Sequence, residues 1–217
     1  MPVIDLISDF PPFRPDLAAY LLPALVRGTP TRTLYLCVVD PGVGTARAII
    51  CARVGSAWYL APDNGLLSPL LRSTRDHVAL WRIDWRPAVA SATFHGRDIF
   101  TPIALQIAAG SLPAASTPIA NSADLVGAEL PATLAAVCYI DHYGNVVSGM
   151  RAGEVDQDAV ITVGETLIPR ARTFADVALG HAFWYENAFG LLEIAVNQGN
   201  AAEKLRLRPG DPLRFHR

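Results

Sequence analysis

At 217 residues, 51% of them hydrophobic, the chain is long enough for one large core or two modest ones, and a formal charge of −2 gives no electrostatic reason to expect nucleic acid or an anionic membrane as partner. The start, Met-Pro-Val-Ile-Asp, lacks a basic segment followed by an apolar one, and no window approaches the roughly twenty apolar residues of a membrane span. Cys37, Cys51 and Cys138 each lie inside an apolar run without metal-ligand spacing, so they read as buried reduced thiols of a cytoplasmic protein.

In chain order, residues 3–7 predict a short strand, closed by the Phe10-Pro-Pro-Phe13 turn. Residues 15–26 have helical spacing that Pro23 should kink or end. Residues 34–39 predict a strand, and 48–54 with 57–61 a hairpin across Gly55-Ser56. A short helix at 66–71 and a strand at 78–83 follow. Residues 98–109 carry apolar side chains at helical intervals, with Gly110 as a natural stop. Strands alternating with helices predict an α/β domain over residues 1–115, built on a mostly parallel sheet with flanking helices. The small, polar, proline-containing stretch 116–131 reads as a linker. Short strand-like runs with glycine turns then predict a small all-β, barrel-like domain over 132–217.

Chemistry concentrates first around Asp40-Pro-Gly-Val-Gly44. An apolar run stops at Asp40, and the residues after it cannot continue a regular strand, which places Asp40 at a strand's C-terminal mouth, where ligands bind in open α/β sheets. Arg47 closes the same loop, and His95, in Thr93-Phe-His-Gly-Arg-Asp98, is a third candidate for that place. A turn explains the first motif equally well, and a structural histidine the second. Asp40, Asp63, His95 and Asp98 would suit a metallohydrolase, but Arg97 would oppose the cation. In Ile140-Asp-His-Tyr-Gly-Asn145, Asn145 offers a donor and an acceptor to a planar base and Tyr143 a stacking face, unless the segment is a plain hairpin turn. The stretches 186–190 and 195–201 are rich in amides, among them Asn187, Asn197 and Gln198.

Taken together, five co-linear blocks resemble the adenosine-forming S-adenosyl-L-methionine hydrolases, also called S-adenosylmethionine hydroxide adenosyltransferases, which are similar to fluorinases and chlorinases. The blocks are Val38-Val-Asp-Pro-Gly-Val-Gly-Thr45, Ala61-Pro-Asp-Asn-Gly-Leu-Leu67, Thr93-Phe-His-Gly-Arg-Asp-Ile-Phe100, Ile140-Asp-x-x-Gly-Asn145 and Gly190-Leu-Leu-Glu-Ile-Ala-Val-Asn-Gln-Gly-Asn-Ala-Ala202. The resemblance implies an α/β N-terminal domain and a C-terminal β-barrel. It also implies a homotrimer whose substrate lies between one subunit's N-terminal domain and its neighbour's C-terminal one. The family's Asp-Arg-His set falls on Asp40, Arg47 and His95, with Thr93, Phe94 and Gly96 beside the histidine as substrate contacts. Asp141 would hold the methionine ammonium and Asn145 the adenine, with Tyr143, Asn187, Asn197 and Gln198 around them. No metal or redox cofactor is called for.

Three departures are visible. Gly96 stands where the halogenating relatives carry a halide-binding Ser, which favours water over halide. Ala188 stands where the family usually has a Ser contacting the methionine carboxylate. A Thr-Asp-Phe-Gly strand and its helix, roughly the first thirty residues of a typical member, are expected to be missing. The implied reaction is in-line attack of a water on C5′, with His95 accepting its proton and Asp40 and Arg47 orienting and stabilising it. Alternatives are an S-adenosylmethionine-binding protein without turnover, a trimer with a degraded site, and an in-family halogenase.

Overall fold

The computed structural model describes residues 2–216, which divide into two compact units: residues 12–132, and residues 133–216 together with residues 2–11.

In the first unit, helix α1 (Pro15–Leu25) starts with Pro15 and Asp16 in its first turn, where a missing N–H costs nothing and an acidic group meets the helix dipole. It runs through Pro23 for two further residues and buries the face from Leu17 to Leu22. Strand β1 (Leu34–Leu36) follows. Strands β2 (Ile49–Val54) and β3 (Ala57–Pro62) form the expected hairpin, with Gly55 at φ +58 in the turn. Helix α2 (Ser68–Ser73), strand β4 (Val78–Ile83), helix α3 (Thr101–Ala108) and strand β5 (Ser116–Ile119) complete the unit. A π-helical turn, Gly96–Phe100, precedes α3, and Gly110 at φ +93 ends the segment as expected.

The sheet order is β1-β3-β2-β4-β5, and only β1 and β3 pair in parallel; the β3–β2, β2–β4 and β4–β5 pairs are antiparallel. The mostly parallel sheet expected from alternating elements is thus a mixed one. The crossover through α2 does leave β4 running in the same direction as β3. The hairpin inserts β2 between them, and a two-residue connection can only join antiparallel neighbours. Ile49, Cys51, Leu60 and Ile83 from the sheet pack with Ile99, Phe100, Ile103 and Ile107.

Residues 116–131 are not a free linker. Ser116–Ile119 is an edge strand, where Pro118 is tolerated because the missing donor faces no partner. Beyond it, the carbonyls of Val126 and Leu130 accept hydrogen bonds from Ser68 and Arg72, at 2.8 and 2.6 Å.

In the second unit, strands β6 (Leu134–Ile140), β7 (Val146–Arg151), β8 (Val160–Val163), β9 (Thr166–Ile168), β10 (Ala182–Glu186) and β11 (Leu191–Val196) precede the short helix α4 (Ala201–Leu205) and strand β12 (Arg214–His216). They form two antiparallel sheets, β10-β11-β7-β6 and β12-β8-β9, rather than a closed barrel. One core serves both, with Val137 and Leu192 from the first sheet meeting Ile161 and Ile168 from the second. Buried Trp184 donates its indole N–H to the Ala159 carbonyl at 2.8 Å.

The expected strand at 3–7 forms no ladder, and residues 2–11 belong to this second unit rather than to the α/β one. The Tyr139 hydroxyl donates to the Asp9 carboxylate at 2.9 Å, and the Phe10 ring stands edge-on to Tyr139 at 6.3 Å. Among the described residues no helix is long and apolar enough to cross a membrane.

Candidate active site

Each unit carries one group of candidate residues. In the α/β unit they gather where β1 ends. Asn64, in the turn after β3, donates its amide to the Val39 carbonyl at 2.8 Å and so fixes the residue before Asp40. Thr45 caps the loop from within by donating its hydroxyl to the Gly42 carbonyl at 2.7 Å. Arg47 then reaches back across the loop. Its Nε donates to Asp40 Oδ1 at 2.7 Å while Nη2 donates to Oδ2, a bidentate fork. The same Nη2 lies 3.2 Å from His95 Nδ1.

Asp40 and Arg47 side chains are only 2% and 9% exposed, so their attraction is little screened by water. The Gly42 N–H donates to Asp40 Oδ1 at 3.2 Å, and a Cβ built on Gly42 would meet Arg47 Cδ and Asp40 Oδ1 at ordinary contact distances of 3.4 and 3.5 Å. The Phe100 ring lies 5.1 Å from the guanidinium carbon and closes the other side. The three residues expected to converge are therefore in contact.

Phe94 is half exposed and lies under the Arg97 guanidinium at 4.7 Å. Thr93 is exposed, its N–H bonded to the Ser91 hydroxyl at 3.3 Å. Nothing comes within 4 Å of a Cβ built on Gly96. Asp98 is held by Arg97 and by the Ser91 N–H, and the Arg97 guanidinium keeps its carboxyl at about 2. The alternative metal set is not assembled: Asp40 and Asp98 each face an arginine, and Asp63 accepts from the Val126 N–H at 3.0 Å.

In the β unit the other candidates line a cavity of about 800 Å³ that contains Asp141, Tyr143, Asn145, Asn187 and Gln198. Asp141 organises the β6–β7 turn. Its Oδ1 accepts the N–H groups of Tyr143 and Asn145, at 2.9 and 2.8 Å, and its Oδ2 the Asn145 amide at 2.9 Å. Gly144, at φ +83, lets the turn close against Asn200, whose side chain any Cβ would overlap. Tyr143 is three-quarters exposed, a ring face open to a ligand. Asn197 is not on the cavity wall; its amide is given to the Val177 carbonyl at 2.6 Å.

Sequence reasoning missed Phe174, Tyr185 and Glu193 on the same wall. Glu193, 6% exposed, accepts from the Tyr185 hydroxyl and, at 2.9 Å, from Asn187 Nδ2. Burial, that bond and the charges of Glu193 and Asp141 all push the Tyr185 hydroxyl well above its usual range, so it stays a donor. A carboxylate inside Leu-Leu-Glu-Ile-Ala-Val was the available signal.

Comparison with known proteins identifies the family. The SAM hydroxide adenosyltransferase N-terminal domain matches residues 1–117 and the C-terminal domain of the same name residues 135–214. The chain belongs to the SAM hydroxide adenosyltransferase family. A relative from Salinispora tropica named (R)-S-adenosyl-L-methionine hydrolase is 37% identical over 98% of this chain and 85% of its own length. One of the same name from Thermus thermophilus is 36% identical over 98% of this chain and 87% of its own. The crystal structure of an uncharacterized conserved protein from Thermotoga maritima superposes with a TM-score of 0.85 at 29% identity, covering 100% of this chain and 89% of that one. The boundary between the two family domains falls at 118–134, and the chain's own division into units falls at 132/133.

Proposed function

We propose that this chain hydrolyses S-adenosyl-L-methionine to adenosine and L-methionine. The family and the names of its relatives support the reaction. The observation that carries it is the contact of Asp40, Arg47 and His95 around one loop end, with Asp40 and Arg47 almost removed from solvent.

A water held at this cluster attacks C5′. Its oxygen forms the new C–O bond as the C5′–S bond breaks, the electron pair passes to sulfur, and neutral methionine thioether departs. The sulfonium is already a good leaving group, so no acid is needed on that side. What the protein supplies is placement of the water and a route for its proton. Within the cluster the acceptor is the His95 imidazole, which takes the water's proton as the C–O bond forms. Arg47 donates to both Asp40 oxygens and lies against the imidazole, so it holds the other two groups in place beside the water. Arg47 also balances the Asp40 charge that would otherwise be buried alone.

In this reading the cavity of the β unit takes the other parts of the substrate, with Asp141 toward the ammonium, Asn145 toward the adenine edge and Tyr143 against a ring face. The active assembly is a homotrimer, cytoplasmic, in which one subunit's α/β unit and its neighbour's β unit share each substrate. Water is preferred to halide because Gly96 offers no side-chain donor beside His95.

Purified protein given S-adenosyl-L-methionine without added metal should release adenosine, and Asp40→Ala or His95→Ala should remove most of that activity. Adenosine release unchanged in both variants would take the cluster out of the reaction. Formation of 5′-chloro- or 5′-fluoro-5′-deoxyadenosine in the presence of halide would replace hydrolysis by halogenation.

A further inference from the structure

Two carboxylates face the cavity of the β unit, and no Arg, Lys or His lines it. Asp141 is satisfied by three neutral donors in its own turn. Glu193 is the more unusual of the two. It sits in the middle of β11, directly across from Tyr185 of β10, and all its neighbours along the strand are apolar and buried. Its two oxygens accept from Tyr185 and Asn187, both neutral, and among the described residues neither Glu193 nor Asp141 takes part in an ion pair.

A buried carboxylate without a counter-charge is costly, and a neutral amide would tie Tyr185 to Asn187 as well. The charge therefore calls for a cation that arrives from outside.

We propose that Glu193 is a specificity-determining residue: with Asp141 it makes this cavity a receptor for an organic cation, so that the charged form of the substrate is preferred over its neutral thioether counterpart. The inference rests on the hydrolase reading and adds to it the basis of discrimination between sulfonium and thioether. Methyl loss from the sulfonium leaves the shape of the nucleoside and amino-acid ends intact and removes one positive charge. A cavity holding two negative charges responds to that difference even where contacts are otherwise equal.

The test compares wild type, Glu193→Gln and Tyr185→Phe by calorimetry with three ligands that are not hydrolysed: adenosine, S-adenosylhomocysteine, and sinefungin, which carries an ammonium where the substrate has its sulfonium. Wild type should bind sinefungin at least about tenfold more tightly than the thioether, and Glu193→Gln should lower that preference by about tenfold while changing adenosine affinity less than about twofold. Tyr185→Phe, which keeps the charge, should keep the preference.

Equal losses for all three ligands in Glu193→Gln, or an unchanged preference, would overturn the proposal and leave Glu193 a packing residue. If Glu193→Gln does not fold, the wild-type comparison decides alone, since absence of a preference there overturns it. Protein that prefers the cation yet releases no adenosine from S-adenosyl-L-methionine would sink the hydrolase reading and keep the receptor. Release without the preference would do the reverse, and binding of none of the three would end both.

Discussion

Asp40 has a well-defined place because three separate features hold it: the Asn64 amide on the preceding carbonyl, the Gly42 N–H on Oδ1, and the Arg47 fork on both oxygens. Arg47 is the member of the set that cannot be exchanged for a simple positive charge, because only a planar guanidinium reaches both carboxylate oxygens and the imidazole at once. Arg47→Lys should therefore lower kcat by about 100-fold with KM little changed, measured as adenosine release under saturating substrate. An equal fall in substrate affinity would place Arg47 in binding instead. At Gly144 the constraint is steric. Gly144→Ala sets a side chain at positive φ into Asn200, so it should cost about 2 kcal/mol of stability, read as a lowered midpoint in urea. That the Asp, Arg and His meet was legible in their types and loop positions. That Arg47 stands between the other two was not, since this depends on a contact between residues 48 positions apart.

At the scale of elements, the hairpin of β2 and β3 decides the sheet. Its turn was plain from Gly55-Ser56, but its insertion beside β4 is a pairing choice made by buried surfaces. Cys51 and Ala52 of β2 pair with both Leu60 and Tyr59 of β3 and Trp81 and Leu80 of β4, so β2 takes the centre where both edges of a strand are covered. The edge strand β5 escaped notice for the opposite reason, as Ser-Thr-Pro-Ile is too short and too polar to give a periodic signal. The strap that follows it rests partly on Asp63. Burial holds that carboxyl above its usual range, with the Val126 N–H opposing. A carboxyl raised in the folded state costs stability once pH exceeds its unfolded value, and the cost vanishes at low pH where both states are protonated. Asp63→Asn, which keeps an acceptor for Val126, should accordingly raise Tm at pH 7, and the gain should fade as pH falls through the carboxyl range toward about 3. A loss of Tm at both pH values would show instead that the charge itself holds the strap.

For the whole molecule, the proposed shared site makes a prediction that neither unit makes alone. His95→Ala leaves the β unit's cavity intact, and Asp141→Ala leaves the α/β unit's cluster intact. If each substrate is shared by neighbouring subunits of a trimer, equal mixing and reassembly of the two inactive variants should restore roughly a quarter of wild-type adenosine release, because one in four random neighbour pairs has both halves whole. No recovery, with exchange of subunits demonstrated by mass, would mean that both halves come from one chain. The sequence by itself determined the kinds of element, the two-unit division and the loop ends where chemistry gathers, because hydrophobic period, turn residues and motif spacing are local properties of the chain. Only the tertiary structure decided the strand order, the open pair of sheets in the second unit, the attachment of residues 2–11 to it, and the buried Glu193 beside Tyr185. Each of those depends on which distant surfaces exclude water together, and no local pattern encodes that.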